Sequence, residues 1–307
     1  MQVNTRVSHD MQVARLADLQ HQLEGAQSQI DSGKRFDAPS DDPVASGIAT
    51  RLRRTQAEGL ARGTAIDAAA SRLATSDTTL GAVATLLQRA REIGLAAANV
   101  TLNASDRATL AIDAKQLGEQ LLDLANTTGA DGTPLFGGAS GRSPAFARDA
   151  TGAVAWTGFG GGGVVALGSV VSADNGGPAA FIGAGVAAGA GAVASGDAFA
   201  LIDSLQAALA APDATRAAVL AAVLGGLDAS VSRVADAQAA VGVRAARLET
   251  ETTRLAAADL RIESDLTKVE GVDMPSAIAR LQRLLTVLNA SQASFVKLAS
   301  LSLWDKL

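Results

Sequence analysis

The chain has no cysteine, no tyrosine, two tryptophans, seven phenylalanines and two histidines in 307 residues. Without cysteine there are no disulfides and no thiolate metal ligands or nucleophiles. Two readings of that absence stay open. One is an intracellular protein that lacks cysteine by composition. The other is a chain that leaves the cell unfolded, for which cross-links would obstruct threading. So few aromatics leave little bulk for a thick core. Alanine is the best helix former and adds little apolar area, so the Ala-rich composition predicts long helices packed closely. The net charge of −5, with no basic block, excludes a nucleic-acid partner held through phosphates. No run of 18 strongly apolar residues occurs, so no membrane insertion is expected. The N-terminus MQVNTRVSHDMQVARL lacks the apolar core of a secretory signal. His9 and His21 lie twelve apart, on different faces of one helix, with no cysteine or HExxH companion, so no metal site is expected. No nucleophile–base set is present, and no enzyme activity or cofactor is expected.

What is abundant is heptad spacing at the two ends. Ile278, Leu281, Leu285, Leu288, Gln292, Phe295 and Ala299 follow one another at steps of three and four. A second row, Leu284, Leu288, Ser291, Phe295 and Leu298, widens the stripe. Leu16, Leu19, Leu23, Ala26 and Ile30 repeat the pattern near the N-terminus. Sustained spacing of this kind predicts coiled-coil seams, and the two ends are expected to pair with each other or with the ends of other copies. Trp304 reads as an anchor in such packing, where tryptophan brings a large contact area.

Between the ends, the pattern predicts helices, a short β insert, then helices. Gly33 closes the first helix. Pro39, Asp42 and Pro43 form a turn and a helix start, with Asp42 as cap and Pro43 in the first turn. The clustered Asp37, Asp41 and Asp42 fit turn and capping roles better than acid–base chemistry. The second helix should reach Asn99, broken near Gly59–Gly63, because each glycine weakens a helix interior by up to about 1 kcal/mol. Ser105 is the expected cap of a third helix ending near Thr128. Periodicity then vanishes, and β-prone runs appear at Ala153–Thr157 and Val164–Val171 around GFGGGG at 158–163. That glycine run lacks the GK[ST] ending of a phosphate loop and reads as a flexible turn. Helical pattern resumes at Asp197, and Asp213 opens a long helix running to about Val269. The expected division is 1–42 terminal coiled-coil segment, 43–141 first half of a bundle, 142–196 Gly-rich β insert, 197–271 second half, and 272–307 terminal coiled-coil segment.

Several segments resemble the flagellin superfamily, in order along the chain: SGKRFDAPSDDPVASGIATRLR at 32–53, LLQRAREIGLAAAN at 86–99, GADGTPLFGG at 129–138 and ASFVKLASLSLWDKL at 293–307. Ser143–Gly158 is similar to the opening of that family's small β domain. PSDDPVA at 39–45 and the Leu-rich ending resemble the branch that joins hook to filament more than the filament formers. The resemblance implies a mainly α, elongated, flagellin-like bundle with terminal coiled-coil helices and a small β insert. It implies a structural, extracellular subunit of the bacterial flagellum, exported unfolded by the flagellar type III apparatus without a cleaved signal. Its implied partners are neighbouring copies of itself in a ring, hook-associated protein 1, flagellin and a cytosolic export chaperone that covers the C-terminal helix. It also implies a role for Gln88, Arg89, Arg91 and Glu92 in packing between subunits. The terminal helices are expected to order on joining their neighbours. The alternatives are a filament-forming flagellin and a flagellin-like surface protein that binds a ligand through its insert.

Overall fold

A computed structural model describes residues 2–99, 102–139, 144–159, 164–166, 170–172, 177–182 and 197–304, with backbone alone for 2–6, 8–9, 164–166, 170–172, 213–214 and 298–304. Its elements are α1 (Gln2–Ser32), α2 (Pro43–Ala97), α3 (Ala104–Ala125), β1 (Phe146–Arg148), β2 (Val154–Trp156), β3 (Val164–Ala166), β4 (Val170–Ser172), a 3-10 turn at Gly177–Ala180, α4 (Ala198–Ala210), α5 (Asp213–Glu270) and α6 (Met274–Trp304). They form two compact units. Unit 1 comprises Met1–Gly59 with Ala256–Leu307, and unit 2 comprises Leu60–Leu255. The long helices α2 and α5 each contribute to both.

Unit 2 holds the hydrophobic core. Its α2 and α5 segments run antiparallel: a Cβ on Gly81 would meet Gln238, one on Gly94 would meet Leu224, and Arg91 reaches Asp228. Small residues let the helices approach. Ala90, Ala97, Ala114, Ala125 and Ala208 are buried, and a Cβ on Gly118 would touch Ile202 of α4 at 3.4 Å. Four of the seven phenylalanines gather at one point. Phe181 lies 4.8 Å from Phe136 and 5.3 Å from Phe146 between ring centres, and Phe146 lies 5.5 Å from Phe199. Asn126, just past α3, fixes β1 there: its amide nitrogen donates to the Phe146 carbonyl and its oxygen accepts from Phe146 N, both at 2.9 Å. β1 pairs antiparallel with β2, with Phe146 opposite Trp156. The Trp156 indole donates to the Phe136 carbonyl at 3.0 Å. The run Val164–Val171 does not form one strand. It folds back as the hairpin β3–β4, with Val165 opposite Val171.

Three local expectations are corrected. Helix α2 runs unbroken through Gly59 and Gly63. A glycine costs a helix only about 1 kcal/mol, and the 55 continuous residues of α2 accommodate five of them, Gly59 and Gly63 included. The cap of α3 is Asn103, not Ser105. The Asn103 side chain accepts from Asp106 N at 2.8 Å, and asparagine caps as well as serine does. The same helix stops at Ala125, with Asn126 as C-cap, because the Asn126 side chain is engaged with β1. One further point concerns apolar length. Among the described residues, one helix, Thr215–Glu270 within α5, is long and apolar enough to cross a membrane by length and composition. Its Leu220, Val223, Leu227, Val234 and Val241 are buried in unit 2.

Close helix packing gives a paired prediction. On Gly226 of α5 a Cβ would sit 2.4 Å from Leu201 Cδ2 and 3.3 Å from Leu201 Cγ, whereas Gly225 has open space. Gly225→Ala therefore gains helix propensity without a clash, and Gly226→Ala must displace the Leu201 side chain. We expect Gly225→Ala to be the more stable of the two by about 1–2 kcal/mol, read from denaturant midpoints. Equal midpoints would mean that Leu201 moves aside at no cost.

Candidate functional site

No pocket chemistry organises the described residues. None of their His, Cys, Asp and Glu side chains form groups of three or more placed to hold a metal ion. Asp41 and Asp42 serve the backbone instead. Asp41 accepts from Ala38 N at 3.0 Å and Asp37 N at 3.3 Å, and these N–H groups, Ala38 first, hold its carboxyl below the usual value. Asp42 Oδ1 accepts from Ala45 N at 2.9 Å, capping α2, while Pro43 occupies the first helical position, where its missing N–H costs nothing. Pro39 lies in the turn before it.

The site that stands out is in unit 1, where the two ends of the chain meet. Helix α1 packs against α6. At the root of the pair, the two connecting turns are tied together. Val272 N donates to the Gly33 carbonyl at 3.1 Å, and Arg35 N donates to the Glu270 carbonyl at 2.6 Å. Gly33 adopts φ +67°, a left-handed conformation that glycine reaches without strain and that ends α1. Arg35 pairs with Asp42 at 3.0 Å, and Arg53 of α2 pairs with Glu270 at 2.6 Å. Glu270 is the more enclosed partner, with its side chain only 13% exposed. Farther along, Gln56 donates to Asp259 at 3.0 Å. This clasp fixes where α1 ends and α6 begins, so the two helices run antiparallel away from it.

On α1 the half-buried face is Leu16, Leu19, Leu23 and Ile30, with Ala26 fully buried. On α6 the covered row is Ala277, Leu281, Leu284, Leu288, Ser291 and Phe295. Ile278 and Leu285, placed by spacing in the first row, stand outside this seam and are 43% and 39% exposed. The reason is angular. At about 100° per residue, the row through 277, 284, 288 and 295 centres the seam, and 278 and 285 lie roughly 80–100° around the helix. Spacing alone admits either row. The alanines at 26 and 277, the best-covered described residues of the seam, decide, because small side chains let the backbones close. The side chains of Leu298 and Trp304 lie outside the described residues.

In unit 2 the QRAREI segment is partly committed within the chain. Arg91 Nε donates to Asp228 at 2.6 Å across to α5, and Arg89 pairs with Glu92 at 2.8 Å along α2. Gln88, Arg89 and Glu92 stay exposed beside Leu95, itself 49% exposed. The GADGTPLFGG segment is held by Arg72, which donates to Thr133 Oγ1 and to the Pro134 carbonyl, both at 2.7 Å. The clasp was missed in the sequence because its partners are more than 200 residues apart. Arg72 was missed because only the folded loop makes it a hub.

One polar cluster in unit 2 holds two partly buried carboxyls. Asp197 caps α4 by accepting from Phe199 N at 2.9 Å. Asp203 lies one to two turns on and faces Arg148 of β1 at 4.0 Å. Burial pushes both carboxyls above the ordinary value of 3.8. A carboxyl whose folded pKa is raised favours the fold below 3.8 and loses that contribution as pH rises through the folded value. Asp203→Asn is therefore expected to raise Tm at pH 7 and to leave it unchanged near pH 3. A lower Tm at pH 7 would show that the Arg148 pair outweighs burial.

Paired terminal helices tied by a clasp in one unit, and a helical bundle with a small β insert in the other, define a mainly helical protein. The comparisons identify the kind. The bacterial flagellin N-terminal helical region matches residues 3–140, and the bacterial flagellin C-terminal helical region matches residues 224–304. The chain belongs to the bacterial flagellin family. It is 29% identical to flagellar hook-associated protein 3 of Escherichia coli strain K12, over 99% of both chains. It is 32% identical to flagellin E of Vibrio cholerae over 45% of this chain and 36% of that one. Its fold resembles that of a flagellar hook-associated protein from Vibrio parahaemolyticus, with TM-score 0.67 and 22% identity, covering 75% of this chain and all of the other.

Proposed function

We propose that the chain is a structural subunit of the extracellular bacterial flagellum that joins hook to filament. The observation behind this reading is co-linearity. The Escherichia coli hook-associated relative matches from end to end, whereas a Salmonella typhimurium hook-associated protein 3 and the Vibrio cholerae flagellin each match 45% of the chain. The physical basis is the α1–α6 pair, whose seam is thin: among its described residues only Ala26, Ala277 and Leu288 are less than a tenth exposed. A helix pair so sparsely covered gains much from further copies packed around it. The role is structural rather than catalytic. Neighbouring copies form a ring, with hook-associated protein 1 on the hook side and flagellin on the filament side. Gln88, Arg89 and Glu92 face the next subunit. Before export through the type III apparatus, a cytosolic chaperone covers the α6 stripe in a helix-in-groove mode, and removing residues 274–307 abolishes its binding.

Seeded assembly tests the reading. Purified chain is offered to hooks that end in hook-associated protein 1 and lack this junction subunit, then to flagellin, and scored by electron microscopy. Addition at hook ends, followed by filament growth only where the chain is present, is the expected result. Long fibres grown from the chain alone would make it a filament former instead.

A further inference from the structure

The α1–α6 pair has two flanks beside its seam, and they carry opposite charge. Because the helices are antiparallel and both right-handed, an equal positive rotation from each seam brings residues to the same side of the pair. On that side α1 presents Val13, Glu24 and Asp31, and α6 presents Met274, Ile278, Leu285 and Val296. All are exposed: Val13 is 47%, Met274 40% and Val296 66% exposed, and the Glu24 side chain, 3.7 Å from His21, is 72% exposed. The opposite side carries Met11, Arg15, Asp18 and Gln22 of α1, and Arg280, Arg283 and Val287 of α6, again exposed. One face is thus apolar and acidic. The other is basic on balance, its single carboxylate, Asp18, accepting a hydrogen bond from Gln22 at 2.9 Å. Helix α6 contains no acidic residue from Met274 to Trp304.

We infer that the acidic–apolar face of one copy docks on the basic face of the next, through this same terminal pair. The inference rests on the assembly role proposed above and specifies its contact. The two faces differ, so the contact is heterologous. It cannot close as a two-fold dimer, and it propagates into a ring or a helical row. The methylene stems of Arg280 and Arg283 lie over Ile278 and Leu285 of the neighbour while their guanidinium groups reach Glu24 and Asp31.

Charge reversal and its rescue test this. Three variants are compared with the parent in the hook-end addition assay: Arg280→Glu with Arg283→Glu, Glu24→Arg with Asp31→Arg, and all four changes together. Far-UV circular dichroism checks that each retains its helix content. Each two-residue reversal is expected to lower addition roughly tenfold or more, from several exposed pairs lost per contact and replaced by repulsion. The fourfold variant, again complementary to itself, is expected to regain most of the parent's addition. Reversals without effect, or a fourfold variant no better than either, would overturn the inference and leave the junction role standing. Failure of the parent itself to add to hook ends would remove the junction role and this contact with it.

Discussion

Phe181→Ala is expected to destabilise unit 2 by about 3–5 kcal/mol, the range for emptying a buried aromatic site. Phe181 is 0% exposed and within 6.2 Å, ring centre to ring centre, of Phe136, Phe146 and Phe199. The backbone around it is also engaged, since its carbonyl accepts from Ala198 N at 2.9 Å. The cavity therefore has little freedom to collapse. The ring joins the β1–β2 hairpin, the loop after α3 and the start of α4, meeting Phe146, Phe136 and Phe199 respectively. Denaturant unfolding of the full chain, followed by circular dichroism, reads the effect. Phe159→Ala is the comparison, because Phe159 is 63% exposed and a surface truncation of this kind changes stability by less than about 0.5 kcal/mol. A loss for Phe181→Ala as small as that would mean that the four rings are not a shared core.

The second large effect falls on assembly. Leu288→Asp places a carboxyl at the best-covered leucine among the described residues of the α6 seam, 9% exposed. An unpaired carboxylate there costs several kcal/mol or must take up a proton. The α1–α6 pair is thin, so a penalty of this size should separate it. Addition at hook ends is expected to be abolished, and amide protection in residues 16–30 and 281–295 to fall to that of an unpaired helix. Unit 2, which does not contain the site, should unfold at its usual denaturant concentration. Ala290→Asp, on an exposed position of the same helix, should preserve both assembly and protection. If Leu288→Asp assembled normally, the row through Ala277, Leu284 and Leu288 would not be the working seam.

Much of this architecture could be read from spacing because its signals are local. The heptads at Leu16–Ile30 and Leu281–Phe295, the Asp42–Pro43 start and the Gly33 stop each depend on a few adjacent residues. What spacing could not give was choice among equivalent rows. Ile278 and Leu281 are both apolar, and only the close approach allowed by Ala26 and Ala277 selects the second. Long-range pairing was equally hidden. Nothing near Arg53 in the sequence points to Glu270, and nothing near Phe136 points to Phe181. The expected break at Gly59–Gly63 failed for the opposite reason, since a local weakness was overruled by a long continuous helix. The family resemblance supplied what periodicity could not, namely that paired ends belong to an assembling flagellar subunit.

The clasp also sets a schedule. Residues Gly33 and Val272, joined by a backbone hydrogen bond, are made more than 200 residues apart in the order of synthesis. At about 5–20 residues per second the ribosome needs on the order of tens of seconds to travel between them. For all of that time α1 exists without α6. Closing so long a loop adds only modest entropy, so the delay comes from supply rather than from the physics of closure. Each nascent chain therefore passes through a period in which its N-terminal stripe is bare and its C-terminal stripe does not yet exist. The order of synthesis itself withholds the seam at least until α6 has been made.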